Sequence, residues 1–425
     1  MTISAWWLLA AAVPVLLLGE FLVRRMRWLA RFDVPVPIVG GFIVALVVLA
    51  LNASGVFPIV IETKTAVRGW TWLIHAEPQW RAAPVVPLYL PFSTAFFTCV
   101  GLSASWAVAR RGSWQLLVFL LLATILAVLQ NTLGVALSRL MDVSPYLGLL
   151  CGSVTLTGGP STALGFADVF EKAGFPAAAT VGAAAAMFGI VTGSFLGGAV
   201  GGTLVRRRAL RDAATEASTV VKADTPRHAI FDHLAALARQ PLSLLIHLVI
   251  LLACIKVGAW VTLWLRNAGV TLPVYIGAML TAIVVRNVLD AAGATLIRNG
   301  VIDRIAAVVL AIFLAIAMSS LNLLELRTLA APMIVILAAQ VILTVLFAFF
   351  VTFLIMGCDY DAAVMSAGHV GFGLGITANA VATMDVLTAK FGPSPRAMLI
   401  VTIVGAFLID LTNALTITVY LNLLK

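Results

Sequence analysis

Charge is scarce in this chain: only 11% of its 425 residues are Asp, Glu, Lys or Arg, less than half the share usual in soluble domains. With 62% hydrophobic residues and a mean hydropathy of +1.09, the composition excludes a soluble globular protein and points to an integral membrane protein. Polar alternation is missing as well. Runs such as 335–356 never alternate in polarity, which excludes a transmembrane β-barrel. Cysteine is limited to Cys99, Cys151, Cys254 and Cys358, without paired or CxxC spacing, so neither a disulfide framework nor a thiolate metal site is indicated. The five histidines do not cluster, and there is no Walker motif, HExxH or nucleophile–base pair. ATP-driven pumping and catalysis therefore have no support, and the chain does not read as an enzyme. A basic n-region before the first apolar run is absent, while Arg24 and Arg25 follow it; that run reads as a first span rather than a signal peptide.

What is present is apolar sequence in lengths suited to a hydrocarbon core of ~30 Å. Spans are expected near 4–23, 36–51, 90–108, 114–138, 178–203, 241–265, 272–288, 304–322, 329–356 and 397–422. The fold class is thus all-α, with ten transmembrane helices. Two stretches, 145–175 and 361–390, are left over. Both are rich in glycine and small polar residues and suit re-entrant hairpins that enter and leave on one side. The net charge of +9 could suggest nucleic acid, but its distribution reads as topology. With the N-terminus outside, the inner loops hold Arg24, Arg25, Arg27, Arg31, Arg110, Arg111, Arg206, Arg207, Arg208, Arg211, Lys222, Arg227, Arg239, Arg286, Arg298, Arg304, Lys390 and Arg396. Both termini are then periplasmic.

The charged stretch 204–240 reads as a cytoplasmic linker between two membrane repeats, 1–203 and 241–425. Five spans per repeat is an odd number, so the second repeat is expected to be inverted, the layout of many secondary transporters. Sliding the chain so that Gly152 meets Gly368 also pairs Val154 with Val370, Gly159 with Gly375, Ala173 with Ala389, Phe175 with Phe391 and Gly189 with Gly405. These identities superpose both hairpins without a gap. The segment 52–89, with Trp70, Trp72 and Trp80, reads as an interfacial cap anchored by aromatic rings.

Glycine at membrane depth weakens a helix, and broken backbone there is tolerated only where it is buried or lines a cavity. The first hairpin carries SVTLTGGPST, in which Thr157, Gly158, Gly159, Ser161 and Thr162 are candidate substrate ligands; Pro160 suits a first helical position. The second carries GHVGFGLGITAN, with candidates Gly371, Gly373, Gly375, Thr377 and Asn379. Two opposed tips would meet near the midplane, and their helix N-termini would form a carboxylate site without a buried arginine. Close helix packing alone would explain the glycines but not the hydroxyl and amide side chains beside them. Asp410 in the last span lies three residues before Asn413. That spacing puts both on one helix face, and oxygen donors of this kind suit Na⁺, or a proton on the Asp. The competing structural reading pairs Asp410 with Lys256. His369 could line the cavity or bond a backbone carbonyl. Asp168 and Asp385 could face the site or the water at the hairpin mouths, and Glu20 and Arg24 read as a surface pair.

With these residues in place, the chain resembles the sodium/glutamate symporter family. The resemblance rests on PVPIVGGFIVAL, TLTGGPSTALGFADVFEKAGF, GHVGFGLGITANAVATMDVLTAKFGPS and VGAFLIDLTNAL. It implies inverted five-helix repeats, re-entrant glycine-rich loops, a homodimer, and Na⁺-coupled glutamate uptake across a bacterial inner membrane, with no cofactor beyond the ion. It also implies that Gly158, Gly159, Gly371, Gly373, Gly375 and Thr377, and Asp410 with Asn413, form the substrate and ion region. The first tip departs from the family pattern: a histidine, a glycine and a threonine usually follow the glycine pair, and here Pro160, Ser161 and Thr162 do. A dicarboxylate or hydroxycarboxylate therefore stays open as substrate. A channel is the alternative from another class, since GFGLG is like a carbonyl-lined filter.

Overall fold

Where no water can reach the backbone, each N–H and C=O must be satisfied within its own segment, so the long apolar runs fold as helices. The computed structural model describes all residues except 1, 27–28, 30–33, 55–58, 77–78, 83–84, 107–113, 211–229, 270–271, 295 and 425. Arg27, Arg31, Arg110, Arg111, Arg211, Lys222 and Arg227 of the charge argument, and most of the expected linker, lie outside the described residues.

In chain order the helices are α1 (Ala5–Arg25), α2 (Val36–Ser54), the short α3 (Arg68–Ile74), α4 (Leu90–Ser103) and α5 (Trp114–Leu140). Next come α6 (Pro145–Leu149), α7 (Gly159–Lys172), α8 (Ala178–Arg207), α9 (Ile230–Ala238), α10 (Pro241–Asn267), α11 (Val274–Ala291) and α12 (Asn299–Ser319). The last five are α13 (Leu326–Leu346), α14 (Tyr360–Gly373), α15 (Thr377–Phe391), α16 (Pro395–Ile403) and α17 (Ile409–Leu423). Among the described residues, 8 helices are long and apolar enough to cross a membrane, or 9 when α16 and α17, bent by 44°, count as one span.

The expected span over 90–108 is the 14-residue α4, shorter than the rest. It stops because side chains of α11 take its last carbonyls. Arg286 Nη1 donates to Leu102 O (3.1 Å) and Asn287 Nδ2 to Ala104 O (3.0 Å). The guanidinium is held in turn by Asp290 (3.0 Å) and Asn299 (2.6 Å), so the charge of this buried cation is paired with a carboxylate.

The helices sort into two bodies. The first three long helices of each half, α1, α2 and α4 with α10, α11 and α12, pack on one another through two apolar clusters and form a frame. The remaining elements, α5 to α8 and α13 to α17, share a third cluster. The seam between the bodies is thin. It consists mainly of α7 against α4 and α12, the π-helical segment Val404–Leu408 against α4, Leu164, Ala183 and Ile190 against the frame's apolar cluster, and the frame's Phe97, Tyr275, Ile276 and Met279 within the third cluster.

Over the frame lies the segment expected as an aromatic cap. Strand β1 (Thr2–Ile3) pairs in parallel with β2 (Val60–Ile61), and β3 (Lys64–Thr65) pairs antiparallel with β4 (Val86–Pro87). The Trp70 ring packs edge-on against Phe92 at 5.6 Å, and its Nε1 donates to Leu88 O (3.3 Å). Lys256 belongs to this cap and not to Asp410. Its Nζ donates to Trp72 O (2.6 Å) and His75 O (2.9 Å) and lies 4.6 Å from the Trp72 ring centroid. The ammonium caps the C-terminal carbonyls of α3, a favourable place for a cation, which removes the structural pairing considered for Asp410.

Candidate functional site

Both leftover stretches fold as hairpins. The first runs through α6 into a π-helical segment, Leu150–Val154, where Gly152 (φ −96°, ψ −140°) breaks the helical path. A turn follows, and α7 starts at Gly159 with Pro160 in its first turn. The two ends of this hairpin are neighbours, since Tyr146 and Phe170 pack edge-to-face at 6.0 Å. The second hairpin is α14, a break at Leu374–Ile376, and α15. Its arms touch so closely that a Cβ on Gly371 would lie 2.6 Å from Ala380 Cα. Its ends are tied by Tyr360 Oη donating to Gly392 O (2.6 Å) and Ser394 Oγ to Asp361 Oδ1 (2.5 Å).

The two tips meet. Gly159 has φ +66°, and a Cβ there would sit 2.8 Å from Ile376 Cγ2 and 3.5 Å from Gly375 O. Only glycine combines that backbone with that approach at low cost.

Beside the tip contact, at the seam with the frame, is a cavity of about 430 Å³. Of the residues anticipated from sequence, it is lined by Thr157, Gly158, Ser161, Thr377 and Asp410. Phe372, Ile376, Ala378, Gly405 and Ile409 complete the wall from the same body, while the frame contributes Phe96, Cys99 and Ser103 from α4 and Asp303 from α12. Among the described residues no Lys, Arg or His lines it, and the two carboxylates face it from different bodies.

The other anticipated residues stand behind this wall. Thr162 is buried and packs over Gly158, where a Cβ would meet it at 2.6 Å. Gly371 lets the arms approach, and Gly373 faces Leu126 of α5. Gly375 makes room for the Asn379 amide, since a Cβ there would lie 2.5 Å from its Nδ2. Asn379 Nδ2 donates to Ile190 O (2.7 Å), and Asn413 Nδ2 to Ser153 O (3.0 Å), each leaving a buried Oδ1 without a partner. Asp410 and Asn413 share a helix, but only Asp410 lines the cavity. Thr377 donates its hydroxyl to Gly405 O.

His369 bonds neither the cavity nor a backbone carbonyl. Its Nδ1 pairs with Thr352 Oγ1 (2.8 Å) and its ring lies against Phe372 at 5.2 Å. Asp168 is paired with Lys172 (2.5 Å), and Glu20 with Arg24 as expected.

The sequence reading missed four residues. Asp303 is the frame's carboxylate on the cavity. Tyr275 stacks on Phe97 at 4.0 Å and meets Phe166 edge-on at 5.7 Å; it closes one flank of the seam, with a buried hydroxyl that has no partner. Gln130 and Asn131 on α5 are fully buried. Asn131 Oδ1 accepts from Ser153 N (2.9 Å). Gln130 bonds both tips, through Thr157 Oγ1 (2.8 Å) and Gly373 O (2.8 Å). The signal that could have found them is an adjacent amide pair inside the apolar run LAVLQNTLG, where polar groups are costly and tend to be functional.

The comparisons with known proteins agree on one family. A family model described as "Sodium/glutamate symporter" matches residues 1–393. The chain belongs to the sodium/glutamate symporter family. A Haemophilus influenzae protein named "Sodium/glutamate symporter" is 36% identical over 422 residues, covering 97% of this chain and 96% of that one. An Escherichia coli protein of the same name is 36% identical over 419 residues, covering 98% and 96%. No solved structure matches the chain. Family membership makes this a transporter built on apolar helices, and it assigns no role to any single residue.

Proposed function

We propose that the protein is a secondary transporter that carries glutamate into the cell together with Na⁺, as the names of its relatives state for them. The observation that carries this reading is the cavity lined by both hairpin tips, Asp410 and the frame. The hairpins enter the bilayer from opposite faces as the re-entrant parts of two inverted five-helix repeats, 1–203 and 241–425, joined by the linker 204–240. Ten helical passes, with α4 as the third, place both termini on the periplasmic side of a bacterial inner membrane. The active unit is a homodimer.

Backbone N–H groups at the start of α7 and α15, with Thr157, Ser161 and Thr377, bind the substrate carboxylates; helix N-termini favour negative charge. Asp410 supplies an anionic oxygen for Na⁺, a hard cation served by oxygen donors. Gly158, Gly159, Gly371, Gly373 and Gly375 allow the tips to meet, Asn413 holds the broken backbone of the first hairpin behind them, and Asn379 ties the start of α15 to α8. The thin seam lets the tip-bearing body move against the frame, which exposes the cavity to each side in turn.

The test is uptake of labelled glutamate into proteoliposomes under an inward Na⁺ gradient. Concentrative uptake that requires Na⁺, and counterflow driven by unlabelled glutamate, are expected. Flux without counterflow would make the protein a channel. Stabilisation by a dicarboxylate with Na⁺, but not by glutamate, would replace the substrate.

A further inference from the structure

Gln130 lies near the middle of α5 (Trp114–Leu140), with no exposed surface. Its amide has only one orientation that satisfies its neighbours. Gly373 O can only accept, so Nε2 must face it (2.8 Å); Oε1 then remains for the Thr157 hydroxyl (2.8 Å). The same Nε2 is 3.2 Å from Thr344 Oγ1 on α13, and the residue's own carbonyl accepts from Gln340 Nε2 (2.7 Å). Thr157 lies within the break of the first hairpin and lines the cavity. Gly373 is the last residue of α14, one position before the break of the second. One rigid side chain amide therefore ties the two tips at atoms next to both breaks.

We propose that Gln130 is a positioning residue that couples Na⁺ binding to glutamate binding, by holding the two tips in one register. It touches neither ligand. Na⁺ at Asp410 acts on the first tip, because Asn413 of the same helix donates to Ser153 O in its break (3.0 Å). Gln130 carries that order from Thr157 to the Gly373 carbonyl, so glutamate, which binds both tips, meets a lower cost of ordering them. The inference rests on the functional reading above.

The test uses the full-length protein purified in detergent. The affinity for labelled glutamate is measured at low and at saturating Na⁺, and the ratio of the two is the coupling factor, typically about 5–150-fold between linked sites. Gln130→Met removes both bonds at nearly the same volume. Gln130→Asn keeps an amide, and a folded helix, but is one methylene too short to reach both tips. Both variants are expected to bring the ratio towards one. Gln340→Met is the control: it removes a bond from the same buried network without cutting the link between tips, and it is expected to lower the melting temperature while keeping the wild-type ratio.

A monodisperse Gln130→Asn protein with the wild-type ratio overturns the proposal, as does a Gln340→Met protein whose ratio collapses equally. A wild type that binds glutamate with no Na⁺ dependence overturns the functional reading as well, so the two failures are distinguishable.

Discussion

The two hairpins solve the problem of broken backbone in an apolar interior in different ways. The first has a wide break, from the π-helical segment Leu150–Val154 to the start of α7 at Gly159. Side chains from elsewhere sustain it: Asn131 takes Ser153 N–H, Asn413 gives to Ser153 O, and Gln130 holds Thr157. The second break is only Leu374–Ile376, with arms packed glycine to alanine. Its borrowed bonds are Gln130 to Gly373 O and Thr377 to Gly405 O. A wide break leaves more polar groups to be shared with a ligand. The first tip accordingly gives the cavity Thr157, Gly158 and Ser161, while the second gives mostly apolar wall around Thr377.

The comparison can be tested most severely at α17, which faces the cavity through Asp410 and props the first break through Asn413. Asp410→Asn removes the anionic oxygen facing the cavity. Na⁺-driven glutamate uptake is expected to fall to background while the protein still inserts; coupled uptake at the wild-type level would take the ion role from Asp410. Asn413→Ala acts instead on the first break and should cut uptake only in part.

A second large effect is expected where the tips touch. Gly159→Ala places a Cβ in a left-handed backbone, a strain of roughly 1–3 kcal/mol, and 2.8 Å from Ile376 Cγ2. Uptake should drop about tenfold or more, since 1.4 kcal/mol corresponds to that factor. Adding Ile376→Ala should recover part of it, because the steric share is then relieved and the backbone share is not. An additive loss in the double variant would mean that the tips do not touch during transport.

Third, the asymmetry of support predicts unequal stability losses. Asn131→Leu strands the buried Ser153 N–H and should cost about 1–3 kcal/mol, read as a lower melting temperature. Asn379→Leu should cost less, on the order of 1 kcal/mol, because Ile190 O also accepts from Ser194 Oγ (2.9 Å). Equal losses would remove the distinction between a wide, propped break and a short, packed one.

The smallest effect lies far from both tips. Burial holds the His75 imidazole of the cap below the ordinary histidine value, opposed by its bond to the Thr71 backbone. A depressed value means that the unfolded cap binds the proton more readily. Cap stability is therefore full above about pH 6.5 and declines as the pH falls through that range. Protection factors over α3, which correct for the slower intrinsic exchange at lower pH, should fall between pH 7 and 5 while those of the hairpins stay unchanged.

The positions of the two helix breaks were legible because glycine, proline and hydroxyl residues stand out against an apolar background. The stretches 145–175 and 361–390 enclose Pro145–Lys172 and, within one residue at each end, Tyr360–Phe391. Pro160 in the first turn of α7 was read from a local rule alone. Lys256 was not, because a lysine in an apolar run carries no sign of which carbonyls it will reach; the answer lay 184 residues away at Trp72. Nor was α4: its apolar run continues past Ser103, and the bonds that end it come from Arg286 and Asn287 on another helix.

By itself the sequence determined the medium, the helical class and the two points where the helices break, because hydropathy and backbone freedom are properties of neighbouring residues. Tertiary structure alone decided that Asp303 joins Asp410 on one cavity, that Asn413 turns to Ser153 instead, and that Gln130 bridges the tips. Those outcomes depend on which buried donors and acceptors meet across the packed body, and a buried polar group takes whatever partner the packing brings within reach.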